Sequence, residues 1–190
     1  MAVAIAILVN RATITSLLRE SLNSPGLVMF SGFFVLLAGL ATALFLAHAA
    51  PALTERIVVL EKARYPRDKL CGGAIGARGD KLLQSIGVRV EVPSVNVSTL
   101  SLRTNYGGAS ANVGHIGRVV RRIEFDHALA QQVRARGIEL REDAKVSDVQ
   151  RTANGVTVHR AAGLVQARVV IGADGEGKKL ITYPRAEARH

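Results

Sequence analysis

Apolar positions in this chain repeat at two spacings, and the two alternate. Ile57-Val58-Val59-Leu60 is an unbroken apolar run with three β-branched members, closed by Glu61. Such a run predicts a short strand buried on both faces. From Gly76 to Ile86 the pattern turns helical, with Leu82, Leu83 and Ile86 on one face and Gly87 placed to end the helix in the left-handed conformation. Residues 88–112 show β-branched alternation broken by Pro93 and Gly107-Gly108, which predicts strands of a small sheet. Phe125, Leu129 and Val133 then step by four along the buried side of a second helix ending at Gly137. Ile138-Glu139-Leu140 starts another strand, and residues 144–151 continue extended. Asn154-Gly155 predicts a tight hairpin turn into Val156-Thr157-Val158-His159, and Gly163 turns the chain again into residues 165–171. Strands alternating with helices make this an α/β chain.

The first fifty residues are harder to place. Residues 1–9 are apolar, but Arg11 and Arg19 follow this run instead of preceding it, which makes a poor secretory signal. Residues 27–50 contain no Asp, Glu, Lys or Arg. By length and hydropathy this stretch is a candidate transmembrane helix, and the denser cations after it (Arg56, Lys62, Arg64, Arg67, Lys69) would leave the rest of the chain in the cytoplasm. The competing reading divides it into a strand, a turn and the first helix of a β–α–β unit.

Composition narrows the function classes. A chain of 190 residues can bury one proper core. The formal net charge is +10, but aromatic residues make up only 4% and the cations are scattered in pairs. No basic stripe is interleaved with stacking rings, which argues against a nucleic-acid partner. A single cysteine, Cys71, excludes an intrachain disulfide and fits a reducing, cytoplasmic compartment. Cysteine and histidine spacing offers no metal site. No general acid, base or nucleophile stands out, so no catalytic residue is assigned.

The candidate chemistry begins at Glu61. In a dinucleotide-binding fold, an acid closing a buried strand accepts hydrogen bonds from the adenosine ribose. The loop after it carries Pro66, cations that include Lys62, Arg67 and Lys69, and Gly72-Gly73, so its backbone can approach an anion closely. Glu61-Lys62-x-x-x-Pro66-Arg67-x-Lys69-x-Cys71-Gly72-Gly73 resembles the second strand and following loop of FAD-dependent oxidoreductases of the geranylgeranyl-reductase type. These belong to the wider group of aromatic hydroxylases and flavin halogenases. Two further stretches are similar to that group. Arg122-x-x-Phe125-Asp126-x-x-Leu129 matches a strand that delivers an arginine beside FAD and leads into a helix. Ile171-Gly172-Ala173-Asp174-Gly175 matches a strand ending in a glycine-flanked acid beside the cofactor.

The resemblance implies an incomplete doubly wound, Rossmann-like FAD-binding domain with a small additional β-sheet. Its expected cofactor side comprises Gly39, Glu61, Lys62, Arg67, Arg122, Val146, Asp174 and Gly175, with Val146 giving a backbone contact to adenine. Asp126, near the helix start, is expected to complement the helix dipole. Asn105, Tyr106 and His115 are expected at the surface. The implied activity is reduction of isoprenoid double bonds, or monooxygenation of a small hydrophobic substrate, with NAD(P)H as reductant.

Departures cluster at the two ends. Ala38-Gly39 and the residues to Ala47 resemble the second half of a glycine-rich dinucleotide fingerprint, with Glu61 about 20 residues beyond its last glycine, as expected. Its first two glycines fall on Phe34 and Leu36, whose side chains fill the space where backbone must meet a pyrophosphate. After Asp174, Lys178 and Ile181 stand where the group has Ser and Arg. The expected organisation is an unassigned segment 1–26, a partial FAD-binding domain 27–177 and an unstructured tail 178–190. Both mismatched edges are expected to reflect a frameshifted or truncated reading frame, with a membrane-anchored module or a remnant without cofactor as the alternatives.

Overall fold

The computed structural model describes residues 3–7, 38–69, 71–152 and 155–173. These residues divide into two units, one built from residues 1–64 and 133–190, the other from 65–132.

The first unit is organised on β2 (Ile57–Glu61), all five residues of which are buried. It lies in a four-stranded sheet with β1 (Val3–Ile7), β6 (Glu139–Arg141) and β10 (Val169–Gly172), in the order β10-β1-β2-β6. β2 and β6 are parallel, while β1 is antiparallel to both β2 and β10. Strands β10, β2 and β6 therefore run one way, and β1, between β10 and β2, runs the other. The doubly wound expectation holds for the β2–β6 pair and fails at β1. The apolar run at the extreme N-terminus, assigned no role from sequence, supplies this strand. With no charge in Val3-Ala4-Ile5-Ala6-Ile7, a central position is open to it.

Helix α1 (Ala38–Ala49) packs on β1 and β2, and a 3-10 turn (Pro51–Arg56) returns the chain to β2. Its buried residues Leu40, Ala43, Leu44 and Ala47 follow the i, i+3, i+4, i+7 stripe of a helix lying on a sheet. Its twelve described residues span about 18 Å. Among the described residues no helix is long and apolar enough to cross a membrane. Of the reading as a strand, a turn and a first helix, the described residues show the helix, whereas the strand and turn, with Phe34 and Leu36, lie outside the described residues.

A second sheet in this unit, β7 (Val146–Thr152), β8 (Gly155–Arg160) and β9 (Gly163–Ala167), is an antiparallel meander. Val58 and Leu60 form one core with Ala144, Val146 and Val158. Ile57 and Val59, alternating with them, are equally buried on the other side of β2.

The second unit holds a three-stranded antiparallel sheet, β3 (Ala74–Gly76), β5 (Gly107–Val120) and β4 (Ser94–Thr104), in the order β3-β5-β4. The break between β4 and β5 is Asn105-Tyr106, two residues earlier than the glycine pair suggested. Helix α2 (Ala77–Ser85) buries Leu83, and Ile86 just beyond it is buried too; Leu82, expected beside them, is 41% exposed on the flank. Helix α3 (Arg122–Ala135) buries Phe125, Leu129 and Val133 as its spacing predicts. It ends as expected at Gly137, whose φ of 75° is open to glycine at little cost. The amide of Gly137 donates to Arg134 (2.9 Å) and that of Ile138 to Val133 (3.3 Å), the paired bonds of a Schellman stop.

Phe125 is fully buried and Leu82 is not, so their truncations should differ sharply. Phe125→Ala is expected to cost about 3–5 kcal/mol, and Leu82→Ala under about 1 kcal/mol. Urea denaturation followed by far-UV circular dichroism reads both.

Candidate functional site

Glu61 ends β2 with 1% of its surface exposed. A carboxylate so far from water requires hydrogen-bond partners. One is the backbone amide of Ala63, which donates to its Oε1 at 3.1 Å. The Glu61 carbonyl accepts from the amide of Ala144 at 2.8 Å, and the Arg64 guanidinium pairs with Asp143, so the chain after β2 is tied to the chain after β6. Val146 lies in the core beneath, packed with Val58 and Leu60. Gly39, the second residue of α1, is buried in the same unit. Lys62 is exposed. Asp174 and Gly175 lie outside the described residues.

The second unit brings together Arg67, Lys69, Cys71, Arg122 and Asp126. Arg122 is the first residue of α3 and not a strand end, and its Nε and Nη2 donate to the two oxygens of Asp126 at 2.7 and 2.9 Å. Arg67 Nη2 lies 3.6 Å from the same carboxylate, and its guanidinium covers the Tyr65 ring at 5.1 Å. Arg67, Arg122 and Asp126 are all buried, with 8%, 6% and 1% exposure. Asp126 is therefore the charge that neutralises two buried arginines, and not a carboxylate serving the helix dipole alone. The signal available in sequence was the Arg-x-x-x-Asp spacing, which puts both side chains on one helix face. Burial pushes the Asp126 carboxyl up, against the pull of Arg122, Arg67 and Lys69. Lys69, half-buried, is lowered by burial and by repulsion from Arg122 and Arg67.

Cys71 sits at the exposed edge of this cluster, 3.6 Å from Arg122 Nη1. Its thiol pKa is lowered by the Gly73 backbone amide first, then by Arg122 and Lys69. A separate cleft of about 600 Å³ is lined by Asp80, Gln84, residues 88–93 and Arg118. There Arg118 donates to both oxygens of Asp80 (2.7 and 2.8 Å) and to the Val90 carbonyl (2.9 Å), so its charge is already matched. Among the described residues no group of three or more His, Cys, Asp or Glu is placed to hold a metal ion. Tyr106 is fully exposed at the β4–β5 turn, and Asn105 and His115 are exposed on the same hairpin.

No protein-family model matches the chain, and no curated protein matches it in sequence. Solved structures do match in fold. The halogenase PltM superposes with a TM-score of 0.54 at 16% identity, covering 70% of this chain and 32% of its own. A flavoprotein/dehydrogenase from Cytophaga hutchinsonii gives 0.51 at 16% identity, covering 70% and 35%. The peptidyl tryptophan dihydroxylase QhpG gives 0.50 at 20% identity, covering 70% and 29%. One PltM structure contains phloroglucinol and FAD. The chain thus has the mixed α/β fold of part of these proteins and spans about a third of their length.

Whether this arrangement suits a dinucleotide can be judged from strand direction. The ribose position fits: a buried acid stands at the end of β2, with α1 returning to the start of the same strand. The phosphate cradle does not fit. It requires the neighbouring strand to end beside Glu61 and turn directly into a helix N-terminus. Here Val3, the start of β1, pairs with Glu61, while its end, Ile7, pairs with Ile57. The strand finishes about 13 Å from where the turn is needed, by the rise of four residues.

Removing the charge at Asp126 leaves two buried guanidiniums without their neutralising carboxylate. Asp126→Asn is expected to destabilise the chain by about 3–5 kcal/mol, measured by urea denaturation. Because the folded pKa of Cys71 lies below its unfolded value, its thiolate should persist to lower pH in the folded chain. The pH of half-maximal iodoacetamide alkylation should accordingly rise when the chain is unfolded in urea.

Proposed function

We propose that this chain is a partial FAD-binding domain of a flavin-dependent oxidoreductase, spanning residues 27–177, in which the adenosine half of the cofactor is read and the diphosphate cradle is incomplete. The observation that carries this reading is Glu61, a buried carboxylate closing a fully buried strand. The fold likeness to a flavoprotein/dehydrogenase and a flavin-containing halogenase supports it. Gly39 lies at the start of the helix, and Val146 offers backbone to adenine. From the resemblance alone, Lys62, Arg67 and Arg122 are assigned positive charge toward phosphate or ribityl oxygens, and Asp174 and Gly175, which lie outside the described residues, are assigned as its acid and glycine. In the complete enzyme the reaction class is reduction of isoprenoid double bonds, or monooxygenation of a small hydrophobic molecule, with NAD(P)H as reductant and the flavin carrying the hydride. Its compartment is the cytoplasm. A second reading, a remnant that takes up no cofactor, is favoured by the reversed β1.

Binding with and without the adenosine half separates the two. FAD and ADP should compete for the purified chain, and FMN, which lacks adenosine, should not bind. Glu61→Gln should weaken FAD binding by about tenfold or more, as loss of a hydrogen bond to a charged group implies. Flavin fluorescence titration and gel filtration with flavin absorbance read these outcomes. A chain that takes up no FAD, or binds FMN equally well, sinks the cofactor-domain reading.

A further inference from the structure

An ion pair brackets the buried carboxylate at the end of β2. Arg64, three residues after Glu61, pairs with Asp143, two residues after β6, and both side chains are exposed (77% and 54%). Each partner adjoins a residue bonded to Glu61. The amide of Ala63, just before Arg64, donates to Glu61 Oε1 at 3.1 Å, and that of Ala144, just after Asp143, donates to the Glu61 carbonyl at 2.8 Å. The pair therefore stands at the carboxyl ends of two parallel strands, where open α/β sheets receive ligands. The neighbouring Glu142 is engaged by Arg134 (3.0 Å), so Asp143 is the carboxylate that holds Arg64. An exposed pair adds little to stability. Asp143 is nevertheless held at a φ of 52°, and among the described residues no other non-glycine has a positive φ. Aspartate and asparagine are among the few side chains that tolerate that conformation.

What a ribose carries at its 2′ position decides how this arrangement treats it. A 2′-hydroxyl donates to a carboxylate, which is the bond a strand-end acid makes in a dinucleotide fold. A 2′-phosphate carries about two negative charges and is repelled by the same carboxylate. Folds that accept a 2′-phosphate set an arginine near it. Arg64 is the right residue type and follows Glu61 closely, but its guanidinium is committed to Asp143. A guanidinium already neutralised by a carboxylate offers an incoming phosphate much less than a free one, because the two fields oppose each other. Lys62 is exposed, and its charge is screened beyond about 8 Å at physiological salt. Asp143 thus acts by subtraction, withholding the cation that a 2′-phosphate would need.

We infer that Asp143 is a specificity-determining residue at the end of β2: by holding Arg64 it confines the site to ribosyl ligands with a free 2′-hydroxyl and excludes 2′-phosphorylated ones. This selectivity rests on Glu61 being a ribose acceptor, as proposed above, and it keeps a 2′-phosphorylated reductant from competing with FAD for that position. Titration calorimetry of the full chain with ADP and with adenosine 2′,5′-bisphosphate tests it, since both probes carry the same number of phosphates. ADP should bind tighter by about tenfold or more. Asp143→Asn, which keeps a side chain suited to the positive φ, should narrow that ratio by about threefold or more, tightening the bisphosphate and leaving ADP unchanged. Adding Arg64→Gln should restore the wild-type ratio, and the urea midpoints of all three chains should agree. Equal or tighter binding of the bisphosphate by the wild type overturns the inference and leaves the cofactor-domain reading in place. An unchanged ratio in Asp143→Asn, or a gain that survives Arg64→Gln, does the same. Loss of both probes together in Asp143→Asn also overturns it, since that assigns the pair a purely structural role. A wild-type chain that binds neither probe overturns the inference and the cofactor-domain reading together.

Discussion

Strand β1 fills the position between β10 and β2 while running against both, and the rest of the first unit is arranged around that pairing. A sheet with a gap there would leave two rows of backbone donors and acceptors unpaired in the interior, at a cost of about 1–3 kcal/mol for each group. Val3–Ile7 closes the gap with residues that have no polar side chain to bury. The ladder is satisfied in either direction, but the loop geometry is not. A parallel strand would end beside Glu61, whereas this one ends beside Ile57. Backbone satisfaction and the geometry of a dinucleotide turn are thus separate requirements, and this fold meets the first.

In the second unit a similar balance centres on Asp126. Two arginines and a carboxylate are removed from water together, and none could remain there alone as a charge. The bidentate geometry of Arg122 makes the pair tenable, and the i, i+4 spacing on α3 fixes it locally. Arg67 comes from the loop after β2, so the same carboxylate ties that loop to the helix. An arginine held in this way can still act on an anion through its charge, but much of its hydrogen-bonding fork is committed to the protein. At the exposed edge of this loop the Cys71 thiol is lowered first by the Gly73 backbone amide, with the Arg122 and Lys69 charges adding to it.

What could be read in the sequence was local. The apolar run of β2 and its closing acid, the four-residue steps of Phe125, Leu129 and Val133, and the glycine stop at Gly137 each depend on residues within one or two turns of each other. The direction of β1 depends on partners fifty or more residues away in β2 and more than one hundred and sixty away in β10, and no spacing rule encodes it. Arg122 shows the same limit on a smaller scale. Its neighbours in sequence marked it as a charged group beside a strand, and only the three-dimensional path of the loop at Arg67 shows that Asp126 is shared. Leu82 lies about 100° around the helix from Leu83, and the buried arc takes in Leu83 and Ile86 and stops short of it.

Glu61 and the β4–β5 hairpin illustrate what burial and exposure each cost a chain. A buried acid at a strand end is costly to the fold, so its presence points to a use that outweighs the cost or to partners that remove it. At Glu61 the Ala63 amide supplies part of that compensation, which makes the carboxylate a structural cap as well as a candidate ribose acceptor. The exposed leucines of β4 have the opposite logic. Leaving them in water forgoes about 2 kcal/mol each of burial that a polar residue would not have offered. The opposing face of the same hairpin shows that polar residues are fully compatible with this strand pairing, since Ser101 and Ser110 meet there without strain on the ladder. Strand pairing alone therefore does not account for Leu100 and Leu102.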